Sequence, residues 1–212
     1  MASAGESAES STVPSRRFLI GISGASCSGK SSLSEELSRK LRNCLVIHQD
    51  DYYLEFDKVP KSIEDPKQPL WDVPEAIDCD RFTQAIRDAM SCEAHSLCMA
   101  CQRLDSQSPH SHIIIEGTMI LSLREVRMMM DKVLFITLDY EACKIRRNAR
   151  DYGECTDPPG YLEQHVWPGY LRELEIARSC SQNVNFLIGS EEKQKLLENC
   201  LIFVTKQIGK DH

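Results

Sequence analysis

Eight consecutive residues, Gly24-Ala25-Ser26-Cys27-Ser28-Gly29-Lys30-Ser31, fit the pattern G-x-x-x-x-G-K-[ST]. Glycines at both ends let the backbone turn tightly, so that successive N–H groups face one anion, and a helix beginning there adds positive potential. Lys30 is placed to reach the outer phosphates of a nucleoside triphosphate, and the Ser31 hydroxyl to bind Mg²⁺. The phosphate-binding stretch is read as Gly24, Ala25, Ser26, Cys27, Ser28, Gly29, Lys30, Ser31 and Ser32. Asp50 and Asp51 follow the apolar run Val46-Ile47, where one carboxylate can accept a hydroxyl proton and help hold the metal. Glu116 closes the run Ile113-Ile114-Ile115. A charge ending an apolar strand is stable only when paired or beside a metal, so Glu116 joins Ser31 and Asp50 in the expected metal set. Lys144, Arg146, Arg147 and Arg150 crowd one segment. Arg146 and Arg150 are four apart and should share a helix face. Planar guanidinium forks match phosphate oxygens, so the arginines read as a lid over the transferred group, and Lys144 as solvated surface.

These residues need a scaffold that brings distant segments together. Five short β-branched and aliphatic runs, 18–22, 44–47, 112–115, 133–138 and 184–188, are each followed by a polar turn and then helical spacing. Strands alternating with helices, apolar on both faces, imply an α/β fold with a five-stranded parallel sheet covered on each side. The helix after the first strand carries Leu33, Leu37 and Leu41 at every fourth position. A second is expected over 80–90 with Phe82, Ala85, Ile86 and Ala89 inward. A third starts at the N-cap Asp139 and runs through Cys143 and Ile145 towards Arg150. The last spans about 191–204. The stretch 53–74, with prolines at 60, 66, 69 and 74, reads as an irregular loop over the sheet.

The chain has 212 residues, 42% of them hydrophobic and 27% charged, which suits one folded domain over 17–212. Residues 1–16 are Ser-, Ala- and Glu-rich without an aromatic, so they are expected to form a disordered tail. A formal net charge of -7 argues against nucleic acid or an anionic membrane as the main partner. Ten scattered cysteines without a secretory leader, and apolar runs too short for a membrane helix, point to a reduced, cytoplasmic protein. Cys98-Met99-Ala100-Cys101, with Cys92 before and His110 and His112 after, has zinc-binding residue types but fits no standard finger spacing, and reads as small reduced hydrophobes.

From 18 to 204 the sequence resembles the nicotinamide riboside kinases, within the uridine-kinase-like P-loop kinases. The resemblance rests on Gly21-Ile22-Ser23-Gly24, Gln49-Asp50-Asp51, Trp71-Asp72-Val73, Ile114-Ile115-Glu116-Gly117, Arg146-Arg147 with Arg150, Pro159-Gly160-Tyr161, and His165-Val166-Trp167-Pro168. It implies a P-loop kinase fold with a small lid at about 146–160. The implied reaction is Mg²⁺-dependent phosphorylation of the riboside 5'-hydroxyl by ATP, giving the mononucleotide for NAD synthesis, with nicotinic acid riboside as second acceptor. By position, the resemblance makes Asp50, Lys30 and Glu116 the catalytic set, with Asp50 as proton acceptor and metal contact. Asp72 and Arg147 would hold the ribose, and Arg146 and Arg150 the phosphates. Trp71, where the family often has Tyr, would sandwich the pyridinium ring with Tyr152, and Asp51 and Tyr53 complete the substrate set. His165 is expected to order the lid. A cationic ring between aromatic faces gains roughly 0.5 to 2 kcal/mol that neutral uridine would not. The family often ends its fifth strand with Asp-Gly-Thr near the adenine. Here the chain reads Ile188-Gly189-Ser190, so mostly backbone contact to the base is expected.

Two rival readings follow from the same residues. A uridine or cytidine kinase would keep all of the phosphate machinery. A nucleotide-binding interaction protein with secondary kinase activity would act through the Ser-rich tail and the cysteine-rich segment, but intact Lys30, Ser31, Asp50 and Glu116 speak against it.

Overall fold

The computed structural model describes residues 17–41, 43–91, 111–150, 157–180 and 183–206. Five strands, β1 (Phe18–Gly24), β2 (Cys44–His48), β3 (His112–Glu116), β4 (Lys132–Thr137) and β5 (Val184–Ile188), form one all-parallel sheet in the order β2-β3-β1-β4-β5. The five runs expected from the sequence are these strands, displaced by a residue or two at their ends.

Side chains alternate across a strand, and the alternation divides the core into two layers. Leu19, Leu45, Ile47, Ile113, Ile115, Val133 and Phe135 face one side. There they meet α2 (Cys79–Ser91), α3 (Arg124–Met129) and α5 (Trp167–Ser179) through Phe82, Ile86, Val126, Tyr170 and Ala177. Ile20, Ile22, Ile114, Leu134 and Ile136 face the other, under α1 (Lys30–Lys40) and α6 (Lys193–Thr205) through Leu33, Leu37, Leu196, Cys200 and Val204. Phe82 and Ile86 are fully buried, each worth roughly 1.5–3 kcal/mol relative to an exposed side chain. Ala85, expected inward, is only half-buried.

The fourth helix, α4 (Tyr140–Asn148), opens as expected on Asp139, whose carboxylate accepts from the Ala142 N–H at 2.8 Å. It ends before Arg150. The Arg150 N–H bonds back to the Arg147 carbonyl, an i→i−3 tightening of the last turn, so Arg150 lies just beyond the helix. Helices α3 and α5 are not legible in the sequence. At α5 the Pro168-Gly169 pair reads as a breaker. The chain accommodates it with a π-helical turn over Leu162–Val166, where Trp167 N–H reaches the Leu162 carbonyl five residues back. Proline is then tolerated in the first turn of the helix that follows. The segment 53–74 is an irregular loop, as expected, pinned by bridges between Tyr53 and Ile77 and between Lys61 and Pro69.

Residues 1–16, most of the cysteine-rich stretch (92–110) and the lid segment 151–156, Tyr152 included, lie outside the described residues. Among the described residues no helix is long and apolar enough to cross a membrane, and six cysteines, at 27, 44, 79, 143, 180 and 200, are free thiols.

Candidate functional site

The strand order reverses between β1 and β3: the chain leaves β1 for β2 on one side and returns from β3 to β4 on the other. In open parallel sheets the crevice at the carboxyl ends of such strands is where ligands bind. Gly24, His48 and Glu116 end β1, β2 and β3 there.

The phosphate-type loop follows β1. Gly24 has φ +139, and a Cβ on it would stand 2.1 Å from the Ile136 carbonyl oxygen, so only glycine lets β1 pass so close to β4. Gly29, at φ +97, caps α1. The N–H groups of Lys30, Ser31 and Ser32 in the first turn have no partner within the helix. The loop is tethered from β4 and α4. Ala25 N–H donates to Ile136 O at 3.2 Å, Cys143 Sγ to Ser26 O at 3.6 Å, and Arg147 to Ser26 Oγ at 2.8 Å. Arg146 donates to Cys27 O at 3.3 Å and to Gly189 O at 3.1 Å, joining the loop to the turn after β5. Ser28 Oγ is buried inside the loop and finds no hydrogen-bond partner among the described residues. An enclosed hydroxyl of this kind fits a loop built around an anion.

Lys30 is buried and donates to Ala25 O at 2.8 Å and Gly24 O at 3.5 Å. Burial lowers its pKa, against the opposing pull of Glu116 and Asp50. Asp50 sits in a 3-10 turn (Gln49–Tyr52) directly after β2. Its carboxyl is reached by solvent yet ringed by protein, and desolvation with the charge of Glu116 pushes its pKa up, while Lys30, Arg150 and His48 pull it down. Glu116 is 3% exposed. Burial alone would raise its pKa, but the His48 hydrogen bond and the Lys30 charge prevail and hold it below the ordinary carboxylate value. Ser31 Oγ donates to Glu116 Oε1 at 3.1 Å, and His48 Nδ1 lies 2.7 Å from the same oxygen. Lys30, Ser31, Asp50 and Glu116 are thus brought together. A hydroxyl with two carboxylates is an all-oxygen donor set of the kind Mg²⁺ takes.

The substrate-side residues form a second group. Trp71 packs against Tyr53 (centroids 5.6 Å, edge-on) and Phe56 (6.2 Å). Burial, with the charges of Asp72 and Asp50, raises the Tyr53 pKa. Arg147 is buried and committed to protein groups: a forked ion pair with Asp157, a bond to Asp72 Oδ2 at 3.2 Å, and the bond to Ser26. Asp51 is exposed, and its carbonyl accepts from Arg81.

Several residues of this region had no role in the sequence reading. Tyr161 Oη accepts from Trp71 N–H at 2.9 Å and Asp72 N–H at 3.4 Å, fixing that dipeptide. Glu173 of α5 is 1% exposed and accepts from Leu121 N–H at 3.0 Å, Ser122 N–H at 2.8 Å, the Ser122 hydroxyl, and Ser23 Oγ at 3.5 Å. Its inward position is legible only once α5 is known, as the middle of the spacing Tyr170, Glu173, Ala177. His48 was open to inference as the polar end of the same-face series Cys44, Val46, His48 on β2.

The fold and site define a P-loop kinase. Its sheet and helices match a sugar kinase of Janibacter sp. HTCC2649 with a TM-score of 0.54 at 16% identity, over 89% of this chain and 95% of that one. A family model described as AAA domain matches residues 20–167. The chain is 34% identical over 183 residues to nicotinamide riboside kinase 1 of Homo sapiens, covering 85% of this chain and 88% of that protein. It is 32% identical over 187 residues to nicotinamide riboside kinase 2 of Mus musculus, covering 87% and 94%. The chain belongs to the nicotinamide riboside kinase family.

Proposed function

We propose that this chain transfers the γ-phosphoryl group of ATP to the 5'-hydroxyl of nicotinamide riboside, forming nicotinamide mononucleotide for NAD synthesis, and that it accepts nicotinic acid riboside as well. The reading is carried by the convergence of Lys30, Ser31, Asp50 and Glu116 at the carboxyl ends of three neighbouring strands. Asp50 takes the proton of the 5'-hydroxyl as that oxygen bonds the γ-phosphorus and the bond to the β-phosphate oxygen breaks, releasing ADP. Lys30 and the amides of the loop from Gly24 to Ser32 hold the triphosphate. Ser31, Asp50 and Glu116 would hold Mg²⁺, which when bound supplies charge neutralisation on the phosphates. Arg146 and Arg150 approach the phosphates from the lid. Asp72, with Arg147 behind it, takes the ribose hydroxyls, and Trp71, Tyr53 and Tyr152 the pyridinium ring, with Asp51 nearby. Free thiols at all six described cysteines suit a reducing cytoplasm.

The test is a direct competition between nicotinamide riboside and uridine as acceptors with ATP, read by mass detection of the monophosphates. Nicotinamide mononucleotide should dominate. Faster phosphorylation of uridine overturns the reading. Trp71→Ala should weaken nicotinamide riboside by about 2- to 30-fold, the range of a cation–π contact, and uridine much less. Equal losses for both remove the cationic-ring argument.

A further inference from the structure

We propose that His48 is a positioning residue for the metal-bound triphosphate, acting through Glu116. This inference rests on the metal and nucleotide part of the function above and is independent of which riboside is the acceptor.

His48 and Glu116 are partners in the parallel register of β2 and β3, so their side chains leave the same face of the sheet side by side. Along that face β2 presents Cys44 and Val46 and β3 presents Ile114, all packed in the layer under α1. The apolar stripe therefore ends, at the crevice, in an imidazole beside a carboxylate. His48 Nδ1 stands 2.7 Å from Glu116 Oε1, and Ser31 Oγ donates to that same atom at 3.1 Å. Both bonds to the Glu116 carboxylate thus fall on one oxygen. Among the described residues no protein donor reaches Oε2, which stays available as an acceptor.

The arrangement also settles how Ser31 is oriented. A hydroxyl that gives its proton to Glu116 Oε1 keeps its own lone pairs for a cation. Without a donor from His48, the Glu116 carboxylate would be held by Ser31 alone and would be free to rotate. Rotation would change both its own donor oxygen and the direction of the Ser31 lone pairs. Outer partners that orient a ligating carboxylate in this way typically change metal affinity by about 10- to 100-fold when removed. His48 is itself partly open to water, with 36% of its side chain exposed, so it is no core filler.

Mn²⁺ is the probe, titrated by its electron paramagnetic resonance signal against the full chain in the presence of the non-hydrolysable analogue AMPPNP and with no acceptor present. His48→Ala should weaken Mn²⁺ binding about 10-fold or more. His48→Asn returns a nitrogen donor at the place of Nδ1 and should recover most of the affinity lost in His48→Ala. A purely structural role for His48 would lower the Tm and leave Mn²⁺ affinity alone. Unchanged Mn²⁺ affinity in His48→Ala overturns the proposal, as does an Asn variant that binds as weakly as the Ala variant. An unaltered chain that binds no Mn²⁺ with AMPPNP overturns the metal site itself. Normal metal binding without riboside phosphorylation overturns only the acceptor assignment.

Discussion

Replacing Arg147 with Met keeps the length and apolar stem of the side chain and deletes the charge that two carboxylates share. Arg147 pairs with Asp72 at 3.2 Å and forks onto Asp157. Its own side chain is 8% exposed, that of Asp72 15% and that of Asp157 28%. Removing one partner from a buried ion pair costs about 3–5 kcal/mol, because the charge left behind is no longer compensated. Both carboxylates keep some water, so the lower end applies, about 3 kcal/mol. In a chain of 212 residues each kcal/mol moves the Tm by roughly 2–4 °C, which gives a fall of about 6–12 °C. The loss should also depend on pH, with a defined sign. Burial raises the Asp72 pKa above the ordinary 3.8, Arg147 lowers it and Asp157 raises it. With Arg147 gone the largest lowering influence is lost, only the Tyr161 hydrogen bond still pulls down, and the folded-state pKa climbs further. A carboxyl raised in this way lends stability that is complete below its unfolded value and is lost as pH rises through the folded value. The deficit of Arg147→Met is therefore largest near neutrality and shrinks on acidification. Thermal unfolding at about pH 7.5 and about pH 5 reads both effects. The double variant with Asp72→Asn should regain at least about 1 kcal/mol at the higher pH. A Tm loss below about 3 °C, equal at both pH values and not eased by Asp72→Asn, would refute the ion-pair reasoning.

Asp50→Asn should lower kcat by about 10²- to 10⁴-fold, the usual worth of a positioned proton acceptor, while calorimetry shows AMPPNP binding largely kept. A near-normal kcat removes Asp50 from that role. Glu173→Gln places an amide N–H₂ against donors that now point at a carboxylate. One of the Leu121 and Ser122 N–H groups loses its acceptor, and the Tm should reflect about 1–3 kcal/mol of lost stability. A Tm equal to that of the parent would mean that the loop at 121–122 rearranges freely.

How much of this was legible in the sequence follows from what each residue depends on. The loop at Gly24 to Ser31 is local: glycine, lysine and serine sit at fixed offsets, and its strand-to-helix setting follows from β-branched spacing before it and leucine spacing after it. The five strands were readable for the same reason, as short apolar runs between turn residues. Asp50 and Glu116 stand out as candidates because a carboxylate at the end of an apolar strand is conspicuous. The partners of those residues were not legible, since they depend on register and on packing between helices. His48 meets Glu116 only because β2 lies beside β3 with those residues level, and nothing within either segment states this. Glu173 belongs to a helix hidden behind Pro168-Gly169, and Tyr161 acts on Trp71 and Asp72 from 90 residues away. The resemblance assigns Arg147 to the ribose and Arg146 and Arg150 to the phosphates, but the protein groups that Arg146 and Arg147 bind are set by packing and are not legible in the sequence. Arg147 turns inward because Asp157, Asp72 and Ser26 are there to receive it, whereas Arg146 spans two loop carbonyls.

The tethers of the phosphate loop explain why the arginines stand where they do. Ala25, Ser26 and Cys27 are held by Ile136 at the end of β4 and by Cys143, Arg146 and Arg147 on the helix that follows. The loop and α4 are therefore one mechanical unit, and a loop that changed shape would pull on α4. Lys30 completes the unit, because its ammonium holds the Ala25 and Gly24 carbonyls from inside. In the proposed function, a triphosphate in the cradle would offer that buried cation negatively charged oxygens in place of neutral carbonyls. Two opposite charges attract more strongly than a charge and a neutral dipole, so in the proposed function Lys30 would turn towards the ligand while the β4 and α4 tethers keep the loop in place. The backbone geometry would then need no rebuilding on binding, and under the proposed function the binding energy would go to holding the phosphates in line with the hydroxyl beside Asp50.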